Sequence, residues 1–522
     1  MSNSVRIRDL DIGKIDASNE LIDNSGENIE RFKMSFLMPQ SIKIKLLLDG
    51  EKYFVSGMKG TGKTALLRYI DLTMQKEYKA ITTFVLFKSD ISEEDKINFA
   101  QSVRVLLVKD FKKSLAEKQY IQDYETVWEL FFHRLIVQQL SDVANGPFLD
   151  DKNNKTYIKH VKSTKDGSEK NGINRIVPKL TKGNLKLNID VVEAGVEFEW
   201  EDKDKKTVSL SKVSEQLTKL LKFLKPGERK FYIFLDELEL SLETGYKHDR
   251  DAILIRDLIE TVKKFNKIFR TNELPIRILA GIRSEVLESV QGKGKEINKT
   301  LSDFGEQIYW HGKSTDNLSH PLIKIAIKKI RAAKNMLGLT DDSVDKDLFY
   351  NYFPRDINSI SSPKYILDNT WYRPRDIVRI LSTAASINPN EMKFSQAAFD
   401  ESRREYSRLS WIELSEELSA SLTPLAINAI KIIFTGFKPF FWMNDLKVRY
   451  HDQSILYGVD TGFKEFTING SLLQQLFNVG MIGNGTKGNI AFSFRGNDQL
   501  FLDQVMMIHP ALWPYFSIAR DH

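Results

Sequence analysis

A chain of 522 residues exceeds what one hydrophobic core organises and points to about three domains. With 42% hydrophobic and 28% charged residues it has the composition of an ordinary soluble protein, and no run approaches the ~18 apolar residues of a membrane span. The absence of cysteine excludes a disulfide framework, thiolate zinc sites and cysteine nucleophiles, and suits a cytoplasmic address; a net charge of +6 permits nucleic-acid binding without requiring it.

The first 45 residues are polar and mixed, form an N-terminal strap, and lack the apolar core of a signal peptide. Residues 46–315 alternate strand and helix patterns and predict a core domain. The β-prone run Lys52-Tyr53-Phe54-Val55-Ser56 leads into Gly57-Met58-Lys59-Gly60-Thr61-Gly62-Lys63-Thr64, and helical spacing follows from Ala65. Strand, glycine-rich turn and helix are what a phosphate-binding loop requires. Gly57, Gly60 and Gly62, with Thr61, let successive backbone N–H groups converge on phosphate oxygens, and the helix N-terminus adds partial positive charge. Lys63 then reaches the β- and γ-phosphates, and Thr64 places its hydroxyl on Mg²⁺. In that setting the strap either covers the base or lies on the domain surface.

Residues 81–87 predict a second strand, and 94–116 and 127–140 predict helices. An insertion spans about 144–205. Its stretch 150–184 is rich in Asn, Lys, Gly, Ser and Thr and reads as an exposed basic loop, solvated or in contact with nucleic acid or a partner. Alternation over 185–191 and 196–200 predicts a hairpin. The apolar run Lys230-Phe231-Tyr232-Ile233-Phe234-Leu235 reads as a buried parallel strand ending in Asp236-Glu237. Asp236 is placed to hold Mg²⁺, and Glu237 to polarise the attacking water as general base. Further strands are expected at 276–280, ending near Arg283, and at 307–310. The core is thus α/β, a parallel P-loop NTPase sheet with helices on both faces. Residues 316–415 turn all-helical and predict a lid. Residues 416–522, helices followed by a hairpin around 485–488, predict a winged-helix domain.

The loop, the Asp236-Glu237 strand, the polar strand end at Arg283 and Tyr372-Arg373-Pro374-Arg375-Asp376 together resemble AAA+ and STAND-type ATPases. Within these, residues 46–515 are most similar to bacterial ATPases related to the origin-recognition and replication-initiator group. The resemblance implies ATP with Mg²⁺ as cofactor, a helical lid and a C-terminal winged helix. It implies that Arg375, opening a lid helix, contacts the γ-phosphate as a sensor 2 arginine. Residues 284–310 carry Lys293, Lys295 and Lys299 but no arginine. The trans-acting finger of ring-forming relatives therefore has no counterpart there, and Arg283 takes the position of a cis-acting arginine, which implies a slow, switch-like ATPase.

Two outputs compete. One is a switch that controls a partner effector or assembles with itself, as ATPases of this kind do in bacterial antiphage defence loci. The other is a DNA-binding initiator or loader. From Glu416 onward there are eight Lys/Arg against nine Asp/Glu, giving −1, and the helix before the wing carries no cation, which favours protein contacts. The aromatic run 434–442 reads as core with an exposed remainder suited to a protein partner. A nucleotide-bound scaffold that scarcely turns over is the third reading, and Glu237 argues against it.

Overall fold

The computed structural model describes residues 5–21, 26–97, 124–140, 145–164, 180–181, 184–186, 207–240, 246–312, 316–419, 421–458, 461–486 and 488–518. Five strands, β1 (Phe54–Gly57), β2 (Ile81–Leu86), β3 (Phe231–Leu238), β4 (Ile276–Arg283) and β5 (Gly305–Gln307), form one sheet in the order β2-β3-β4-β1-β5. All four pairings are parallel. The side chains of β3 alternate between two cores. Tyr232 and Phe234 join the core that contains Leu66, Leu67 and Ile70; Phe231, Ile233 and Leu235 join the one that contains Trp128, Leu217 and Phe265. Helices on both faces therefore explain why this strand reads as an unbroken apolar run. The register pairs Leu86 with Asp236 and Gly57 with Arg283, so these residues share the C-terminal edge of the sheet.

Around the sheet lie α1 (Gly26–Ser35), α2 (Lys63–Tyr78), α3 (Glu125–Leu140), α4 (Lys152–Ser163), α5 (Leu210–Lys222) and α6 (Tyr246–Thr271). The α4 helix corrects the expectation of an irregular loop over 150–184. Asp151 caps it by accepting from Asn154 N at 2.9 Å, and Tyr157 and Val161, one turn apart, are fully buried. Two apolar anchors suffice there, amid a composition that otherwise looks solvated. Of the expected hairpin of 185–191 with 196–200, only residues 185 and 186 are described. Asn184–Lys186 pairs antiparallel with Leu180–Thr181 and with Thr207–Ser209. Most of its span, the basic residues Lys165, Lys170, Arg175, Lys179 and Lys182, and positions 98–116 of the expected helix lie outside the described residues. The last core strand runs over Gly305–Gln307 rather than 307–310, because Trp310 leaves the sheet to donate its indole N–H to Thr61 O at 2.9 Å.

The lid consists chiefly of α7 (Pro321–Met336), α8 (Pro374–Ile387) and α9 (Gln396–Leu418), the last a single helix. The C-terminal domain has α10 (Pro424–Phe434), α11 (Met443–Tyr457) and α12 (Gly470–Asn478). Its antiparallel sheet is built from β6 (Phe440–Phe441), β7 (Ile482–Thr486), β8 (Asn489–Ala491) and β9 (Val505–Ile508), ordered β6-β9-β7-β8. The expected order of helices then hairpin holds, with β6 and β9 added. Phe434 and Phe441 are core, whereas Trp442 is 52% exposed.

Candidate nucleotide site

The turn between β1 and α2 folds as its glycines allow. Gly60 and Gly62 take φ of +80° and +98°, conformations that cost a side chain strain. Thr61 braces the turn, its hydroxyl donating to Met58 O at 2.8 Å. Lys63 opens α2, is buried, and donates to Gly57 O and Met58 O at 2.7 and 2.8 Å. Burial pushes its ammonium down to about 8, although Glu285 and Asp236 pull the other way.

Asp236 lies opposite. It is 5% exposed, accepts a hydrogen bond from the Thr64 side chain, and its Oδ2 has no partner. Burial raises its pKa, since a carboxylate is poorly solvated there. A buried, half-satisfied carboxylate bonded to a loop threonine is a donor set that fits Mg²⁺. Glu237 follows at φ +55°, where β3 shifts register against β4 between Leu235 and Leu238. This irregularity frees Glu237 from the strand alternation, and its Oε2 accepts from Ser89 Oγ at 2.6 Å.

Arg283 ends β4 and pairs with Glu239, which also pairs with Lys88 at 3.1 Å. Arg375, in the first turn of α8, donates through Nη1 to Glu413 Oε1 at 2.8 Å and through Nε to Ile15 O at 3.0 Å. Its backbone N–H meets Gly60 O at 3.4 Å. Arg373, two residues earlier, is a different kind of group: 2% exposed and bidentate to Glu417 at 2.6 and 3.3 Å.

Gly60, Gly62, Lys63, Thr64, Asp236, Glu237, Arg283 and Arg375 all line one cavity of ≈ 330 Å³. Gly57 and Thr61 shape the turn behind it. The cavity is also lined by Ile15 and Phe36 of the N-terminal segment and by Ile325 and Val378 of the lid. Residues of the strap thus line the cavity. Ser89, Glu239, Glu285 and Glu413 were not singled out in the sequence; only Ser89, just beyond the end of β2, had a positional signal. Among the described residues no group of three or more His, Cys, Asp and Glu could hold a metal by protein ligands alone. Among those residues, too, no helix is long and apolar enough to cross a membrane.

Parts of the chain are similar to known proteins. Residues 27–244 match the ORC-CDC6-like family model, and residues 321–415 match the FunZ-associated C-terminal helical domain. The putative transposon gamma-delta 80.3 kDa protein of Escherichia coli K12 is 20% identical over 527 aligned positions, covering 97% of this chain and 68% of that protein. The crystal structure of Cdc6p from Pyrobaculum aerophilum aligns at 11% identity and a TM-score of 0.30, covering 92% of this chain and 93% of that one. The chain is thus similar to ORC-CDC6-like proteins over residues 27–244 and to FunZ-associated C-terminal helical domains over residues 321–415.

Proposed function

We propose that the protein is a Mg²⁺-dependent ATPase that works as a slow molecular switch. The observation that carries this reading is convergence. Phosphate-binding backbone, an ammonium, a metal-type carboxylate, a candidate base and two arginines come from separate stretches of the chain to line one cavity between sheet, strap and lid. Lys63 holds the β- and γ-phosphates, Thr64 and Asp236 hold the metal, and Glu237 takes a proton from the attacking water. Arg283 and Arg375 stabilise charge at the γ-phosphate from the strand end and the lid. Bound Mg²⁺ would neutralise phosphate charge and orient the β- and γ-oxygens.

The output passes to a protein effector or to self-assembly, in the setting of bacterial antiphage defence. The C-terminal domain, which we read as a winged helix, supports a protein contact, since α12 carries no cation and the region from Glu416 sums to −1. A loader acting on nucleic acid is the second reading, favoured by the ORC-CDC6-like match. The test is steady-state ATP hydrolysis by the purified protein, alone, with DNA or RNA, and with a co-purifying protein. Slow turnover that needs Mg²⁺ and changes with a protein partner supports the switch. Strong stimulation by nucleic acid supports the loader. Undiminished turnover by Glu237→Gln would remove Glu237 from the base role.

A further inference from the structure

Resting on the nucleotide reading above, we propose that residues 371–375 are a mechanical link that passes nucleotide occupancy to the C-terminal domain. The two ends of this short segment are anchored in different parts of the molecule. At one end Arg375 lines the cavity, its backbone against Gly60 and its guanidinium held by Glu413 and Ile15 O. At the other, Trp371 is buried, donates its indole N–H to Gly480 O at 2.9 Å, and stacks on His509 at 4.0 Å between centroids. The fit leaves no slack: a Cβ on Gly480 would come within 2.7 Å of the Trp371 ring.

The residues between are also fixed. Tyr372 sits at φ +51°, a left-handed conformation strained for a residue with a side chain. Its ring is held there by His320 at 5.0 Å, Phe494 at 5.7 Å and the Arg495 guanidinium at 5.1 Å. Arg373 is locked to Glu417, and Asp376 accepts from Trp371 N at 3.0 Å, closing the turn on itself. Close-packed interiors transmit displacement rather than absorb it. A shift of Arg375 toward or away from a γ-phosphate therefore moves Trp371 against Gly480, just before β7, and His509, just after β9.

The test is hydrogen exchange of the full chain with and without Mg²⁺ and ATPγS, read at the phosphate loop and across residues 480–509. In the wild type, the loop becomes protected and exchange across 480–509 changes at least about threefold. In Trp371→Ala the loop is still protected, because Lys63, Thr64 and Arg375 remain, but the response at 480–509 is lost. Trp371→Phe, which keeps a stacking ring, retains part of it. Loop protection in the wild type without any change across 480–509 overturns the proposal, as does a wild-type response in Trp371→Ala. Absence of loop protection in the wild type overturns the nucleotide reading along with it.

Discussion

Lys63 shows how one buried side chain couples two equilibria of opposite sign. Its folded pKa of about 8 lies below the ordinary 10.5, so the fold favours the neutral amine. The charged form costs the fold most below pH 8, and this part of stability improves as pH rises from 8 to 10.5. Phosphate favours the ammonium, so affinity moves the other way. Above pH 8 the free protein must take up a proton to bind, and ATP affinity is expected to fall by up to about tenfold per pH unit. Titration calorimetry in buffers of differing ionisation enthalpy reads this directly as proton uptake, near zero at pH 7 and approaching one per site at pH 9. Lys63→Ala removes both the charge and the pH dependence, with binding weakened by about 100-fold or more. An affinity that stays level from pH 7 to 9 in the wild type would contradict this account of Lys63.

At the scale of elements, the start of α8 separates two arginines that look alike in the sequence. Arg373 is the extended residue before Pro374, at φ −123° and ψ 138°, and points inward to Glu417; Arg375 is already helical and faces the cavity. Reading 371–376 alone yields a helix start with two cations, and a function for Arg375 follows only by resemblance. Their partners on α9, Glu413 and Glu417, lie about forty residues downstream, and nothing in local periodicity announces that pairing. The phosphate loop and the Asp236-Glu237 strand were legible because backbone conformation and a doubly buried strand leave direct marks on residue choice. The α4 helix and the Trp310 excursion were not, since each depends on tertiary contacts that outweigh local composition. The distinction between the arginines is testable. Arg373→Ala leaves Glu417 buried without its partner and should cost roughly 3–5 kcal/mol, seen as a large drop in urea midpoint. Arg375→Ala leaves Glu413 paired with Arg379, so the midpoint should shift by less than about 1 kcal/mol while ATP turnover falls. Equal destabilisation by the two would erase the division of labour.

Across the whole molecule, the described residues include four buried histidines, His133, His160, His320 and His509, and burial lowers the pKa of each. Burial holds His133 down to about 3 and His320 to about 4, and His509 well below its ordinary value. Each stays neutral in the fold while its unfolded counterpart takes a proton near pH 6.5, so the unfolded state binds more protons and stability falls with falling pH. The loss is about 1.4 kcal/mol per pH unit for each histidine still neutral, or roughly 4 kcal/mol per unit for three. Glu417 works the other way. Burial pushes it up to about 7, so between pH 7 and 4.5 it returns about 1.4 kcal/mol per unit, and burial likewise raises Asp71, Asp236, Glu288 and Asp376. The histidines lower stability as pH falls below 6.5, and the raised carboxyls oppose part of that loss. His320 allows a clean check, because its Nδ1 accepts from Leu322 N at 3.2 Å and caps α7. His320→Asn keeps a capping acceptor and removes the titration. Asparagine loses the ring packed on Tyr372, so the readout is the slope: from pH 7.5 to 5 its thermal midpoint should fall less steeply than that of the wild type. Parallel curves for the two proteins would show that His320 takes up no proton on unfolding, and would place the acid response in other groups.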